Sequence, residues 1–181
     1  MQKRTTVGSL LPMMFNPSAF IENYLQNASF VFALLISGSA FGLFFLQTGL
    51  DLYRTGQKNL HFVYTIAGIG FLYGALVIPF FGVLIWSFFK IARLKSSFKQ
   101  VLTAVCLSYS GLLFYSIFGI VFSLLLNWRT SIAFGVTGAV WSIGATIATI
   151  RKLSKNMALS IFLAIVFGSA VLFSWYYLGN I

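Results

Sequence analysis

Side chains that could carry out chemistry are scarce in this chain. His61 is the only histidine, Cys106 the only cysteine, and Glu22 and Asp51 the only acids among 181 residues. One histidine and one cysteine do not supply the clustered ligands of a zinc site, and acid–base catalysis needs a partner for the carboxylate. Asp51 has Arg54 three residues further along a helix end, and we expect an interfacial ion pair there. We therefore predict a protein without catalytic activity, metal or cofactor.

Uncharged polar side chains cluster within one long apolar run, at positions 101–126. Hydroxyl groups inside a helical bundle usually hydrogen-bond a facing helix or their own backbone. The alternative is a hydrophilic path for a lipid headgroup or a small solute. The residues that would form such a path are Thr103, Tyr109, Ser110, Tyr115 and Ser116. Both interpretations stay open on sequence alone.

The elements that position these residues are five long apolar segments. Hydrophobic residues make up 59% of the chain and charged residues only 8%. A helix of about 20 apolar residues crosses a hydrocarbon core of about 30 Å. The segments at 28–50, 62–89, 101–126, 131–150 and 157–178 all reach that length without a charged residue. We predict an all-α polytopic membrane protein, with a five-helix transmembrane domain over 28–178.

The distribution of positive charge predicts the orientation. Nine of the twelve Lys and Arg residues lie on one side of the predicted bundle: two before the first span, four between the second and third, and three between the fourth and fifth. Short loops rich in Lys and Arg stay in the cytoplasm. The N-terminus is therefore expected in the cytoplasm and the C-terminus outside.

The same basic residues predict contacts with anionic lipid headgroups, at about 1 kcal/mol for each cation near the surface. Nucleic acid is not an expected partner, because most aromatic residues lie inside the spans rather than among the basic residues. The candidate headgroup contacts are Lys90, Arg93, Lys95, Lys99, Arg151, Lys152 and Lys155.

Residues 1–27 precede the first span. Positions 5–14 are expected to be a weakly structured tail. Asn16 followed by Pro17 is typical of a helix start, with Asn16 as the N-cap. Apolar and polar residues then alternate with a helical period, which predicts a short amphipathic helix along the cytoplasmic membrane surface. This helix either leads into the first span or provides a docking surface for a partner.

Small residues recur at a spacing of four, which places them on one face of a helix and lets a neighbouring backbone approach closely. They could pack the five helices of one chain, or bind another membrane protein or a second copy. The candidates are Gly38, Gly42, Gly70, Gly74, Gly135 and Ala139.

The second predicted span is about 42 Å long, which exceeds the thickness of the bilayer core. Pro79 lies within it and cannot donate a hydrogen bond to the carbonyl of Ala75. We expect a bend at this position.

Several segments in the same order resemble the Yip family of Ypt/Rab-interacting membrane proteins, and in particular its short bacterial members. A proline-containing stretch precedes the first span, a basic segment leads into the third, and a Tyr-Ser pair follows within that span. The segments are 15–21, 74–79, 95–102, 107–110, 140–143 and 151–158. The resemblance covers nearly the whole chain and implies five spans with a cytoplasmic N-terminus.

None of the segments that carry the resemblance is catalytic. Eukaryotic Yip proteins act in vesicle trafficking and bind Rab-type GTPases through a longer N-terminal region, so the GTPase role is not expected of this chain. We expect an accessory or scaffold protein of the bacterial plasma membrane, associated with an exporter or with envelope homeostasis. The alternative is a transporter or lipid-translocating protein that uses the polar third span. Expected partners are anionic lipid and another membrane protein or a second copy.

Overall fold

The computed structural model describes residues 10–180, and the side chains of residues 12–178. Within this range the chain is helical without strands, and five helical stretches are long and apolar enough to span a membrane. They are Phe30–Arg54, Leu60–Ile91, Phe98–Leu126, Ser131–Ser154 and Met157–Leu178. The predicted all-α polytopic architecture with five spans is thus confirmed. The observed spans extend beyond the predicted apolar runs at five of their ten ends.

The first span is the single helix α3 (Phe30–Arg54), and α9 (Met157–Asn180) contains the last. The second span consists of α4 (Leu60–Leu72), a π-helical segment (Tyr73–Val77) and α5 (Ile78–Ile91). The fourth begins with a π-helical segment (Ser131–Val136) and continues as α8 (Thr137–Ser154). Pro79, where a bend is predicted, lies in the first turn of α5, and the segment just before it is π-helical.

The third span is interrupted, whereas the sequence predicted one continuous helix. It consists of α6 (Phe98–Leu107) and α7 (Ser110–Leu126), with Ser108 and Tyr109 between them. The Ser108 hydroxyl lies 2.9 Å from the carbonyl oxygen of Ala104 and 3.1 Å from the hydroxyl of Thr149 on α8. Every residue from 101 to 112 is buried. This half of the third span therefore lies inside the bundle, with other elements on all of its faces.

Helix α3 organises the packing. It contacts chiefly α4 and α7, while α5 packs on α6 and α8 packs on both α7 and α9. Three fully buried phenylalanines of α3 provide much of the core: Phe41, Phe44 and Phe45. The Phe41 ring lies 5.1 Å from the rings of both Tyr73 and Tyr109, so the first three spans meet around it.

The small residues face other helices of the same chain. A Cβ atom added at Gly70 would lie 2.6 Å from the carbonyl oxygen of Phe41, and one at Gly74 would lie 2.8 Å from the Cα of Gly38. Gly38 and Gly42 face Phe71 of α4. On the fourth span, Gly135 faces Phe44 and Gln47 of α3, and Ala139 is buried. Packing within the chain therefore accounts for all six positions.

The N-terminal residues form two short helices, α1 (Leu10–Phe15) and α2 (Pro17–Asn23), which we call the N-terminal hairpin. Asn16 caps α2 as predicted, because its side-chain oxygen accepts a hydrogen bond of 3.1 Å from the backbone N–H of Ala19. The expected weak structure of the tail is wrong for residues 10–14, which are helical because α1 packs against α7 and α8. Residues 5–9 of the expected tail lie outside the described range.

The N-terminal hairpin packs against the helical bundle, with α2 on α8 and α1 on both α7 and α8. The indole N–H of Trp141 donates to the carbonyl oxygen of Met14 at 3.2 Å. Trp141 is ten residues before Arg151 on α8, or about 15 Å along the helix axis. Met13 and Phe20 are fully buried. The hairpin therefore packs along the wall of the bundle, because its apolar side chains find partners there.

Candidate functional site

The polar side chains of the third span are enclosed. Thr103, Tyr109, Ser110 and Ser116 expose between 0 and 4% of their surface. Tyr115 is half-buried, and its ring centroid lies 6.1 Å from that of Trp141. A side chain that lines a water-filled path has solvent-accessible surface, and four of the five candidates have almost none. In this conformation they belong to a filled interior.

Several enclosed polar atoms nevertheless lack a hydrogen-bond partner among the described residues. They include the hydroxyl oxygens of Thr103, Ser110 and Ser116. The side-chain oxygen of Gln47 on α3 is a further example, although its N–H group donates to the carbonyl oxygen of Ser116 at 2.6 Å. An unsatisfied buried polar group costs about 1–3 kcal/mol.

Gln47 belongs to a polar face of α3 that the sequence analysis missed. Gln47, Asp51 and Arg54 follow the spacing i, i+4, i+7 and so lie on one side of the helix. All three contact the third span or the start of the fourth. The helical spacing of these polar residues was the signal that could have identified the face. The predicted first span ends at Leu50, so this spacing extends beyond it to Asp51 and Arg54.

The predicted ion pair between Asp51 and Arg54 is wrong. Asp51 is buried, and one carboxylate oxygen accepts hydrogen bonds from the backbone N–H groups of Thr130 and Ser131, at 3.0 and 2.8 Å, and from the Ser131 hydroxyl, at 2.7 Å. The first N–H groups of a helix have no partners within it and carry partial positive charge. Asp51 therefore caps the start of the fourth span.

Arg54 binds the C-terminal end of α7. Its guanidinium donates to the hydroxyl and the carbonyl oxygen of Ser123, at 2.5 and 2.7 Å, and to the carbonyl oxygen of Trp128 at 2.9 Å. Ser123 lies in the last turn of α7, where carbonyl groups have no partners within the helix. The two charges thus bind two helix ends instead of each other, and they hold the hairpin of the third and fourth spans against α3.

Basic residues cluster at the other end of the bundle, which we call the basic end. All seven predicted headgroup residues are exposed there. Arg93 and Lys155 have left-handed backbone conformations, with φ of 55° and 56°, at turns that follow α5 and α8. Among the described residues the one ion pair joins Lys152 to Glu22 of α2, which ties the N-terminal hairpin to α8.

These features define a polytopic α-helical integral membrane protein. Comparison with protein-family models, curated proteins and solved structures found no match. Within residues 10–180, no three His, Cys, Asp or Glu side chains come together as metal ligands. What distinguishes the molecule is the combination of a closed polar interior, a polar face on α3 and the basic end.

Proposed function

We propose that this protein is a non-enzymatic accessory or scaffold protein that acts through its outer surface, by contacts with lipid and with another membrane protein or a second copy. The observation that carries the proposal is the enclosure of the polar residues in the third span. A channel or transporter presents polar groups to an aqueous cavity. Here the corresponding side chains are packed between helices.

The small residues support the same conclusion. Glycines inside the bundle bring α3 and α4 into backbone contact, so these helices form one rigid unit. Large apolar side chains face outward on several spans and include Leu76, Phe118 and Phe162, each more than half exposed. The surface available for binding is therefore the outer, membrane-embedded surface.

We further propose a bacterial plasma membrane as the location, with the basic end in the cytoplasm. The positive-inside rule supports the orientation, because the basic end carries most of the Lys and Arg residues. Membership of the Yip family remains a proposal that rests on the sequence segments described above.

Two measurements test the accessory role. The first uses purified protein in liposomes that contain fluorescent phospholipid, with quenching by dithionite. We expect dithionite to quench the same fraction of the fluorescence as in protein-free liposomes, because the closed interior offers lipid no path between the leaflets. The second places a photo-crosslinking amino acid at Leu76 or Phe162 in native membranes, with the fully buried Phe44 as the matched control. A discrete protein adduct from an outward position but not from Phe44 supports the proposal. Rapid quenching of both leaflets, or outward adducts with lipid alone, contradicts it.

A lipid-translocating protein is the second candidate function. The unpartnered oxygens of Thr103, Ser110, Ser116 and Gln47 favour it, because a path that opens transiently would satisfy them with water or a headgroup. Ser110→Ala and Ser116→Ala distinguish the candidates. They should slow translocation if these hydroxyls line a path. If the hydroxyls are only buried, the two substitutions should leave the free energy of unfolding unchanged or raise it.

A further inference from the structure

A groove runs along the outer face of α8 beside the N-terminal hairpin. It consists of two adjoining recesses, of about 710 and about 490 Å³. Gly144 lines both recesses, and a Cβ atom added there would meet no atom within 4 Å. The recesses are therefore continuous across Gly144. We call the whole feature the α8 groove.

The two ends of the α8 groove differ in chemistry. At the basic end it is lined by Arg151, Lys152 and Lys155. Lys152 is paired with Glu22, whereas no carboxylate of the described residues forms an ion pair with Arg151 or Lys155. The other end is lined mainly by apolar side chains, with Met14 of the N-terminal hairpin on one side. The α8 residues there include Val140, Trp141 and Ala145.

The length of the α8 groove matches one leaflet of a bilayer. Arg151 and Trp141 are ten residues apart on α8, which corresponds to about 15 Å. Half of a hydrocarbon core of about 30 Å is also about 15 Å. With Arg151 at the headgroup level, Trp141 lies near the bilayer centre.

We infer that the α8 groove binds one anionic glycerophospholipid. Arg151 and Lys155 contact its phosphate, and one acyl chain lies along α8 past Ile147 and Gly144 toward Trp141. Free phosphate would need only the basic end, whereas the apolar length of the groove accommodates an acyl chain. This specific site goes beyond the accessory role proposed above and does not require it. It also differs from general attraction to the leaflet, which the basic residues of every loop share.

Native mass spectrometry of the detergent-purified full chain tests the inference. The probes are phosphatidylglycerol and phosphatidylcholine with identical acyl chains. Two cations close to the headgroup predict roughly 30-fold tighter binding of the first phosphatidylglycerol. Gly144→Phe fills the open space of the groove and should remove this preference. The matched control is Gly68→Phe on α4, an exposed helical glycine where an added Cβ atom also meets nothing within 4 Å.

A second pair of variants separates the site from general electrostatics. Arg151→Gln with Lys155→Gln should reduce phosphatidylglycerol binding to the level of phosphatidylcholine. The control is Arg93→Gln with Lys95→Gln, which removes the same two residue types from the basic end. Each pair includes one residue with a left-handed backbone, so the backbone context is also matched. The control pair should retain the preference.

Four results would overturn the inference. Equal binding of the two lipids would show that the cations do not select charge. Equal losses of phosphatidylglycerol binding in the two double variants would show that the preference comes from attraction by the whole basic surface. Competition by glycerol phosphate at the affinity of the lipid would indicate a phosphate site without a role for the acyl chain. Loss of lipid in Gly144→Phe together with loss of a dimer peak would instead assign the groove to a second copy. The lipid-translocation and crosslinking assays report on the accessory role separately.

Discussion

Gly74→Ala should destabilise the protein, although alanine normally favours a helix over glycine. The added Cβ atom would lie 2.7 Å from the carbonyl carbon of Ser37 and 2.8 Å from the Cα of Gly38. Both are backbone atoms of α3, so α3 and the π-helical segment of the second span (Tyr73–Val77) must move apart. The same movement lengthens the 2.8 Å hydrogen bond from the Ser37 hydroxyl to the carbonyl oxygen of Gly74.

The magnitude follows from three opposing contributions. Overpacking costs about 1–3 kcal/mol, and weakening of the hydrogen bond costs about 0.5–1.5 kcal/mol. The higher helix propensity of alanine raises the free energy of unfolding by about 1 kcal/mol. The free energy of unfolding should therefore fall by about 0.5–3.5 kcal/mol in Gly74→Ala. Gly68→Ala, which meets open space, should be neutral or raise it by up to about 1 kcal/mol.

The assay compares thermal unfolding of the two variants in the same detergent. The expected difference of about 0.5–4.5 kcal/mol corresponds to about 1–18 °C in Tm, at about 2–4 °C per kcal/mol for a chain of this size. Equal Tm values for Gly74→Ala and Gly68→Ala would refute the close contact between α3 and the π-helical segment of the second span. Gly70→Leu should be more damaging than Gly74→Ala, because its larger side chain meets the backbone of Phe41.

Three further predictions concern the two ends of the bundle. Asp51→Asn should lower the free energy of unfolding by about 1–3 kcal/mol, because an amide caps the fourth span less well than a carboxylate. Glu22→Gln removes an exposed ion pair and should lower it by at most about 1 kcal/mol. Thermal unfolding of the two variants measures the difference. A membrane-impermeant thiol reagent on intact cells should label Asn180→Cys and spare Ser97→Cys. Single Gln replacements in the loop between the second and third spans should have small effects on topology, measured by the same labelling, whereas all four together should disturb it. The four residues are Lys90, Arg93, Lys95 and Lys99.

Each of these predictions has a contradicting result. Equal destabilisation by Asp51→Asn and Glu22→Gln would show that the cap formed by Asp51 does not stabilise the fold more than an exposed ion pair does. Labelling of Ser97→Cys but not of Asn180→Cys would reverse the proposed orientation. Normal topology in the fourfold variant would show that other charges set it. Cys106 is buried and should give no background signal in the labelling.

The five spans could be predicted from the sequence because membrane insertion depends on the length and polarity of each segment alone. The cap of α2 could be predicted for the same local reason, since Asn16 and the N–H group it binds are three residues apart. Both depend on short-range physics that a single stretch of residues contains.

The partners of Asp51 could not be predicted, because they lie 79 and 80 residues further along the chain. The nearest opposite charge, Arg54, suggested a local ion pair, but helix ends from other spans compete for both side chains. The interruption at Ser108 was missed for a similar reason, since the hydroxyl of Thr149 on α8 lies beside it. Residue types also do not show whether neighbouring helices cover the hydroxyl groups of the third span. The sequence therefore left open whether these groups line a polar path.

The position of the N-terminal hairpin has a consequence for biosynthesis. The hairpin is translated before α8, and its contacts with α8 join residues 127 and 130 positions apart. At about 5–20 residues per second, a ribosome needs roughly 6–26 s to make the intervening chain. During that interval the hairpin lacks its docking surface on α8, so it stays at the membrane surface or with a chaperone. Completion of α8 is therefore the event that allows the hairpin to adopt its final place.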